Sequence, residues 1–138
     1  FNKGFWGAAE TDPTSIAAGI SYAAQMNGLP KTVVSRTLTG DPGWNARIAG
    51  PDLAAEVARL KSEVTGGDIF AFGGSSLANS LLAAGLVDEF WLMVTPELYG
   101  AGEPFFRAGR PPTTMTLTES RATDVGSVIL RYRRQQAG

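Results

Sequence analysis

Neither cysteine nor histidine occurs anywhere in the 138 residues. Without cysteine there is no disulfide, no thiolate nucleophile and no thiolate metal ligand. Without histidine the usual base of a nucleophilic triad and the commonest metal ligand are gone as well. No metal site is expected. What survives is chemistry in which a bound cofactor brings the reactivity while the protein binds and orients, hydride transfer being the leading example, or no chemistry at all. Neither sign of charge is in excess, since 12 basic side chains face 13 acidic ones. With no basic stripe, neither nucleic acid nor an anionic membrane surface is expected as the main partner, and a small ligand or a protein is, the small molecule being the substrate. No apolar run approaches the ~20 residues needed to cross a bilayer, and nothing reads as a charged-then-apolar leader, so the expected location is the cytoplasm.

The stretch around which the chain is organised reads Asp68-Ile69-Phe70-Ala71-Phe72-Gly73-Gly74-Ser75-Ser76-Leu77. The apolar run 69–72 leaves no face for polar residues, the pattern of a central strand covered on both sides. Gly73-Gly74 then turn the chain, Ser75 or Ser76 caps a helix, and Leu77, Leu81 and Leu82 give that helix an apolar stripe ending at Gly85. A helix start carries unpaired N–H groups and partial positive charge, and glycines let a phosphate reach the backbone without meeting a Cβ. Two adjacent glycines also suit a plain tight connection, and the third glycine of a full GxGxxG is missing.

The remaining segments frame that stretch in a chain whose length fits one domain, residues 1–138. Residues 1–10 read as a loop with aromatic anchors, Phe1, Phe5 and Trp6, whose rings either line a ligand pocket or plug the core edge. Asp12-Pro13 starts a helix with Ile16, Ile20 and Ala23 or Ala24 as its stripe, stopped by Asn27-Gly28. Residues 31–37 are β-branched and read as a strand whose end carries Ser35, Arg36 and Thr37, a donor-rich trio suited to a phosphate or simply to a solvated turn. A short strand is placed within 44–49 with Ile48 inward. Gly50-Pro51-Asp52 opens the clearest helix, on Leu53, Val57, Leu60 and Val64, its charges forming a solvated face. Residues 88–95 are apolar on both alternating faces and read as a strand buried on both sides. A loop through Glu97, Tyr99, Glu103 and Phe106 follows, then Arg110-Pro111-Pro112. Residues 114–118 and 127–133 alternate as an antiparallel pair joined at Asp124-Val125-Gly126. Helices alternating with strands and closing in such a pair indicate a three-layer α/β domain.

Taken together, residues 29–38, the run from Ile69 to Leu77, Gly85-Leu86-Val87-Asp88-Glu89, Thr95-Pro96 and Gly100-Ala101-Gly102 resemble the dihydrofolate reductase-like family. The branch is that of the riboflavin-biosynthesis reductase domain, the C-terminal domain of the bacterial deaminase-reductase, and its single-domain relatives. The resemblance implies a mostly parallel mixed sheet ending in an antiparallel pair, with NADPH across its strand ends. It implies that Ser35, Arg36 and Thr37 lie by the adenosine 2′-phosphate, and that Gly73, Gly74, Ser75, Ser76 and Leu77 receive the pyrophosphate, with Phe72 also among the cofactor-binding residues. Phe5, Trp6, Glu97 and Tyr99 fall near where such folds hold substrate. No proton donor is identifiable, so the catalytic residues are unassigned. The family's first strand, first helix and Gly-Arg-x-Thr turn would precede Phe1, and upstream residues are expected. The resemblance also implies a homodimer.

The function expected from these readings is NADPH-dependent reduction of a small heterocycle, pterin-like or riboflavin-precursor-like. A catalytically silent nucleotide-binding or regulatory module of the same fold is the alternative, motivated by the unassigned acid. A flavin or other phosphate-bearing ligand in the same groove is a third reading.

Overall fold

Residues 3–11 form a helix, α1 (Lys3–Thr11), where the glycines among the aromatics suggest a loop. The two glycines weaken the helix by about 1 kcal/mol each, a cost offset by rings that pack along and beyond it. Trp6 meets Phe5 edge-on at 4.9 Å and tilts against Tyr22 at 5.6 Å. The computed structural model describes residues 3–102, 104–109 and 112–135. Phe1, Glu103, Arg110 and Pro111, which enter the readings above, lie outside the described residues. The chain divides into two units, 1–59 and 60–138.

In the first unit the single helix expected after Asp12-Pro13 is broken into a 3-10 turn at Ala17–Gly19 and a short helix, α2 (Ala23–Gly28). The reason is local. Asp12 turns its carboxylate onto the Thr14 amide (2.9 Å) and hydroxyl (2.7 Å), satisfying the chain in a turn instead of capping a continuous helix. Ala17 and Ala23 are the buried apolar residues here. Asn27, 8% exposed, ties three pieces together. Its amide donates to the Trp6 carbonyl at 2.9 Å, and its oxygen accepts from the Trp44 indole N–H at 2.7 Å.

Strand β1 (Lys31–Val33) pairs in parallel with β2 (Ala46–Ile48), in the register Lys31 to Ala46 and Val33 to Ile48. The strand expected over 31–37 thus stops three residues in, because Ser35 draws the chain into a turn. Between the two strands Gly43, Trp44 and Asn45 all have positive φ, near +60°, +59° and +48°. For Trp44 this costs about 1–2 kcal/mol. The Asn27 bond, and Lys31 Nζ lying 4.2 Å from the Trp44 ring centroid, hold it there. Helix α3 (Leu53–Glu63) starts where expected, with the Asp52 carboxylate accepting from the Ala54 and Ala55 amides at 2.9 and 3.0 Å. Its charges are not all solvated. Glu56 is 8% exposed and accepts from the guanidinium groups of Arg47 and Arg59, both partly exposed, so a buried carboxylate ties β2 to α3.

In the second unit the apolar run 69–72 is not a strand. Phe70 is 63% and Phe72 71% exposed, and no described strand pairs with them. Apolar composition favours burial, but a strand also needs neighbouring N–H and C=O groups to bond, and composition does not say where those are. Helix α4 (Ser75–Ala83) follows the glycines. It ends in a Schellman arrangement at Gly85 (φ +68°), with Leu86 N–H on the Leu81 carbonyl and Gly85 N–H on that of Leu82. Strand β3 (Glu89–Val94) pairs antiparallel with β5 (Val128–Arg134), which pairs antiparallel with β4 (Met115–Ala122), in the order β3-β5-β4. The terminal hairpin is as expected. The double burial of β3 is not found, since Trp91 and Met93 are 52% and 62% exposed. The other side carries the core, with Phe90 tilted against Phe105 and Phe106 at 5.8 and 5.9 Å, and Leu81 buried on α4. No helix among the described residues is long and apolar enough to cross a membrane.

Candidate functional site

In the first unit, Ser35, Arg36 and Thr37 sit in the turn beyond β1. The Ser35 hydroxyl accepts from the amides of Thr37 (3.3 Å) and Leu38 (3.0 Å), which fixes the turn and commits that oxygen to the backbone. Arg36 and Thr37 are exposed, and Arg36 makes no ion pair among the described residues. A guanidinium in that state is a ready phosphate ligand, because no internal carboxylate competes for its donors. Phe5 and Trp6 lie within the α1 aromatic cluster, Trp6 half-buried and Phe5 44% exposed, so they serve first to pack α1.

In the second unit, residues 72–77 form one continuous turn into α4. Gly74 is the N-cap, and neither it nor Ser75 nor Ser76 supplies a side-chain cap. The expected serine caps instead occupy the first helical positions, where their carbonyls accept from the Asn79 amide (2.7 Å) and the Ser80 hydroxyl (3.0 Å). The first helical bond runs from the Ala78 amide to the Gly74 carbonyl, so the amides of 75, 76 and 77 have no acceptor within the helix. The two glycines do different work. A Cβ on Gly73 would stand 2.8 Å from Leu77 Cδ2, so Gly73 lets Leu77 pack beneath the turn. A Cβ on Gly74 would meet nothing within 4 Å, leaving the approach to the amides open. Unpaired helix-start amides beside open space are chemically suited to an anion. Phe72 stands exposed at the entrance to this turn.

Beside the helix start is a hollow lined by Ser75, Pro104, Phe106, Arg107 and Ala108. Asn79, 5% exposed, joins its walls, its amide donating to the Phe105 carbonyl at 2.7 Å and its oxygen accepting from the Arg107 amide at 3.2 Å. Sequence reasoning missed Asn79 and Arg107. The available signal for Asn79 was a poor helix former in the middle of a helical run. Glu97 and Tyr99 lie in an exposed loop. No group of acidic residues that would hold a metal occurs among the described residues.

The most perturbed carboxylate stands apart from this hollow on the sheet. Glu89 accepts from Arg131 Nε at 2.5 Å, from the Trp91 indole at 2.7 Å and from Arg133 at 3.2 Å. The Arg131 bond first, and the Trp91 bond second, hold its pKa at about 2. Such a group stays ionised and is no proton donor near neutrality.

The RibD C-terminal domain family matches residues 8–129. The uncharacterized protein YyaP of Bacillus subtilis is 33% identical over 102 residues, covering 74% of this chain and 53% of that protein. The chain thus spans about half the length of this curated relative. Among solved structures, a protein from Shewanella sp. PV-4 named for riboflavin biosynthesis superposes with a TM-score of 0.69 at 22% identity, over 79% of this chain and 62% of that one. A pyrimidine reductase-like protein from Corynebacterium diphtheriae gives 0.52 at 18% identity, over 67% and 39%. These likenesses show the fold, an α/β fold of the dihydrofolate reductase-like kind with parallel and antiparallel sheet.

Proposed function

The chain belongs to the RibD C-terminal domain family, which is reductase-like, and from that premise we propose that it is an NADPH-dependent reductase of a small heterocycle, pterin-like or riboflavin-precursor-like. The observation that supports this most is the uncapped start of α4, where three amides have no acceptor within the helix and lie by an open glycine. In this reading Gly73, Gly74, Ser75, Ser76 and Leu77 receive the pyrophosphate and Phe72 borders it. Arg36, with Ser35 and Thr37 shaping its turn, takes the 2′-phosphate. When bound, the cofactor supplies the hydride, and the protein's part is to bind and orient. No side chain is assigned as proton donor in this reading; histidine is absent from the 138 residues, Glu89 is held ionised, and water is the proposed source of the proton for a reduced C=N or C=O bond. Phe5, Trp6, Glu97 and Tyr99 are proposed to border the substrate. Both units are assigned to one domain working as a homodimer.

The test is a calorimetric titration with NADPH and NADH, followed by NADPH oxidation against a panel of pterins, pyrimidinones and quinones. Tight NADPH binding with turnover of one panel member is the expected result. No heat with NADPH overturns the proposal. Tight binding with silence across the panel replaces the reductase with a nucleotide-binding module, the reading favoured by the unassigned proton donor.

A further inference from the structure

We propose that Asn79 is a positioning residue that fixes loop 104–109 beside the start of α4 and so presents Arg107 as a side-chain donor to the cofactor pyrophosphate. The inference rests on the NADPH reading above and adds a residue pair to it. Asparagine is a poor helix former because its side chain competes for backbone groups, and residue 79, two positions from both Leu77 and Leu81, lies off their stripe on another face of α4. Here the side chain is 5% exposed and bonds in both directions, donating to the Ser75 and Phe105 carbonyls (both 2.7 Å) and accepting from the Arg107 amide (3.2 Å). It therefore links the helix's first turn to the loop through backbone groups, which fixes the main chain whatever the side chains do. Phe105 and Phe106 press the same loop onto Phe90 of β3. Their neighbour Arg107 borders the same hollow as Ser75, with its guanidinium in no ion pair among the described residues.

The chemistry gives the loop a purpose. The glycine turn offers amides and a dipole but no full positive charge, while a pyrophosphate carries at least two negative ones. Arginine adjacent to free amides completes such a site, provided the loop is already in place before the ligand arrives.

The experiment is a double-mutant cycle on NADPH dissociation constants, using the chain itself, Asn79→Ala, Arg107→Ala and the double variant. Loss of one charge-assisted contact should weaken binding about tenfold in Arg107→Ala, and loosening the loop about five- to tenfold in Asn79→Ala. The double variant should bind within about twofold of Arg107→Ala alone, because the effect of Asn79 is transmitted through that arginine. Thermal stability serves as the structural readout and should drop in both Asn79 variants alike. Losses that multiply in the double variant, or an Arg107→Ala affinity equal to that of the parent, overturn the inference while leaving the NADPH reading intact. An unaltered chain that does not bind NADPH removes both together. Hydrogen exchange at the Arg107 amide of the unaltered chain needs no variant to fold. Slow exchange before NADPH is added supports a loop held by Asn79, and exchange that becomes slow only with NADPH overturns it.

Discussion

The two segments assigned to phosphates are built on opposite principles. In the turn 35–37 the attraction resides in one exposed guanidinium, and the backbone is held by the Ser35 hydroxyl. In the turn 73–77 there is no charged side chain, and the attraction resides in main-chain amides that the helix aims and Leu77 supports from below. A side-chain site adds a strong interaction with one group and tolerates displacement. A main-chain site tolerates neither a blocking Cβ nor a negative charge. The first type suits discrimination between cofactors that differ by one phosphate, and the second suits holding what all of them share.

That contrast is broken most severely by Gly74→Asp. Gly74 has φ −72° and ψ 178°, extended backbone open to any residue, and a Cβ there has nothing within 4 Å. Aspartate is a preferred N-cap and an anion at the positive helix end, so α4 should gain a few tenths of a kcal/mol. The same carboxylate would occupy the cradle, and NADPH and NADH should both bind about a hundredfold more weakly or worse. Thermal melts and paired titrations check the two signs at once. A variant that is stabilised yet binds normally would remove the phosphate from this turn.

Arg36→Ala comes next and acts on one cofactor only. NADPH should bind about ten- to a hundredfold more weakly while NADH is hardly affected. An equal loss for both would show that the guanidinium does not read the 2′-phosphate. Gly73→Ala is milder. Its Cβ would stand 2.8 Å from Leu77 Cδ2 and 3.2 Å from Leu77 Cβ, so Leu77 has to yield. The expected cost is about 1 kcal/mol of stability, with a shared loss of about threefold in affinity for the two cofactors. Urea midpoints and titrations measure it, and a loss confined to NADPH would contradict a main-chain site.

The amide-bearing turn was legible because its cause is local. Two glycines, a polar start and a leucine stripe dictate a helix start wherever they occur, and the helix began at Ser75. The same holds for α3, opened by Asp52, and for the hairpin of β4 and β5, whose period-2 pattern was plain. What was not legible depends on distant backbone. Asn79 is explained by Phe105 and Arg107, 26 and 28 residues away. Glu56 looked like one charge on a solvated face until Arg47 of β2 came to meet it. Residues 69–72 carry the composition of a buried strand, but pairing is a property of two segments and only one can be read at a time. The Ser35 turn ended β1 early for a related reason, a hydroxyl outcompeting the ladder for the backbone.

The smallest effect is expected at Glu89, which sharpens the comparison by standing outside it. The native pKa of about 2, against the ordinary 4.5, means that folding favours the ionised form. As pH falls below about 4.5 the unfolded chain takes up this proton while the native chain resists until about 2. The stabilisation is therefore complete above 4.5, declines through that window and is gone at its lower end. Glu89→Gln removes the effect, so urea midpoints of variant and parent should differ modestly at pH 7 and converge as the pH approaches 2. A gap that stays constant with pH would mean that Glu89 acts through packing and not through its charge. NADPH affinity at pH 7 should be unchanged, which separates the losses expected at Gly74 and Arg36 from a general loosening of the chain. A Glu89→Gln chain that lost cofactor affinity would return those losses to stability and erase the distinction between the two turns.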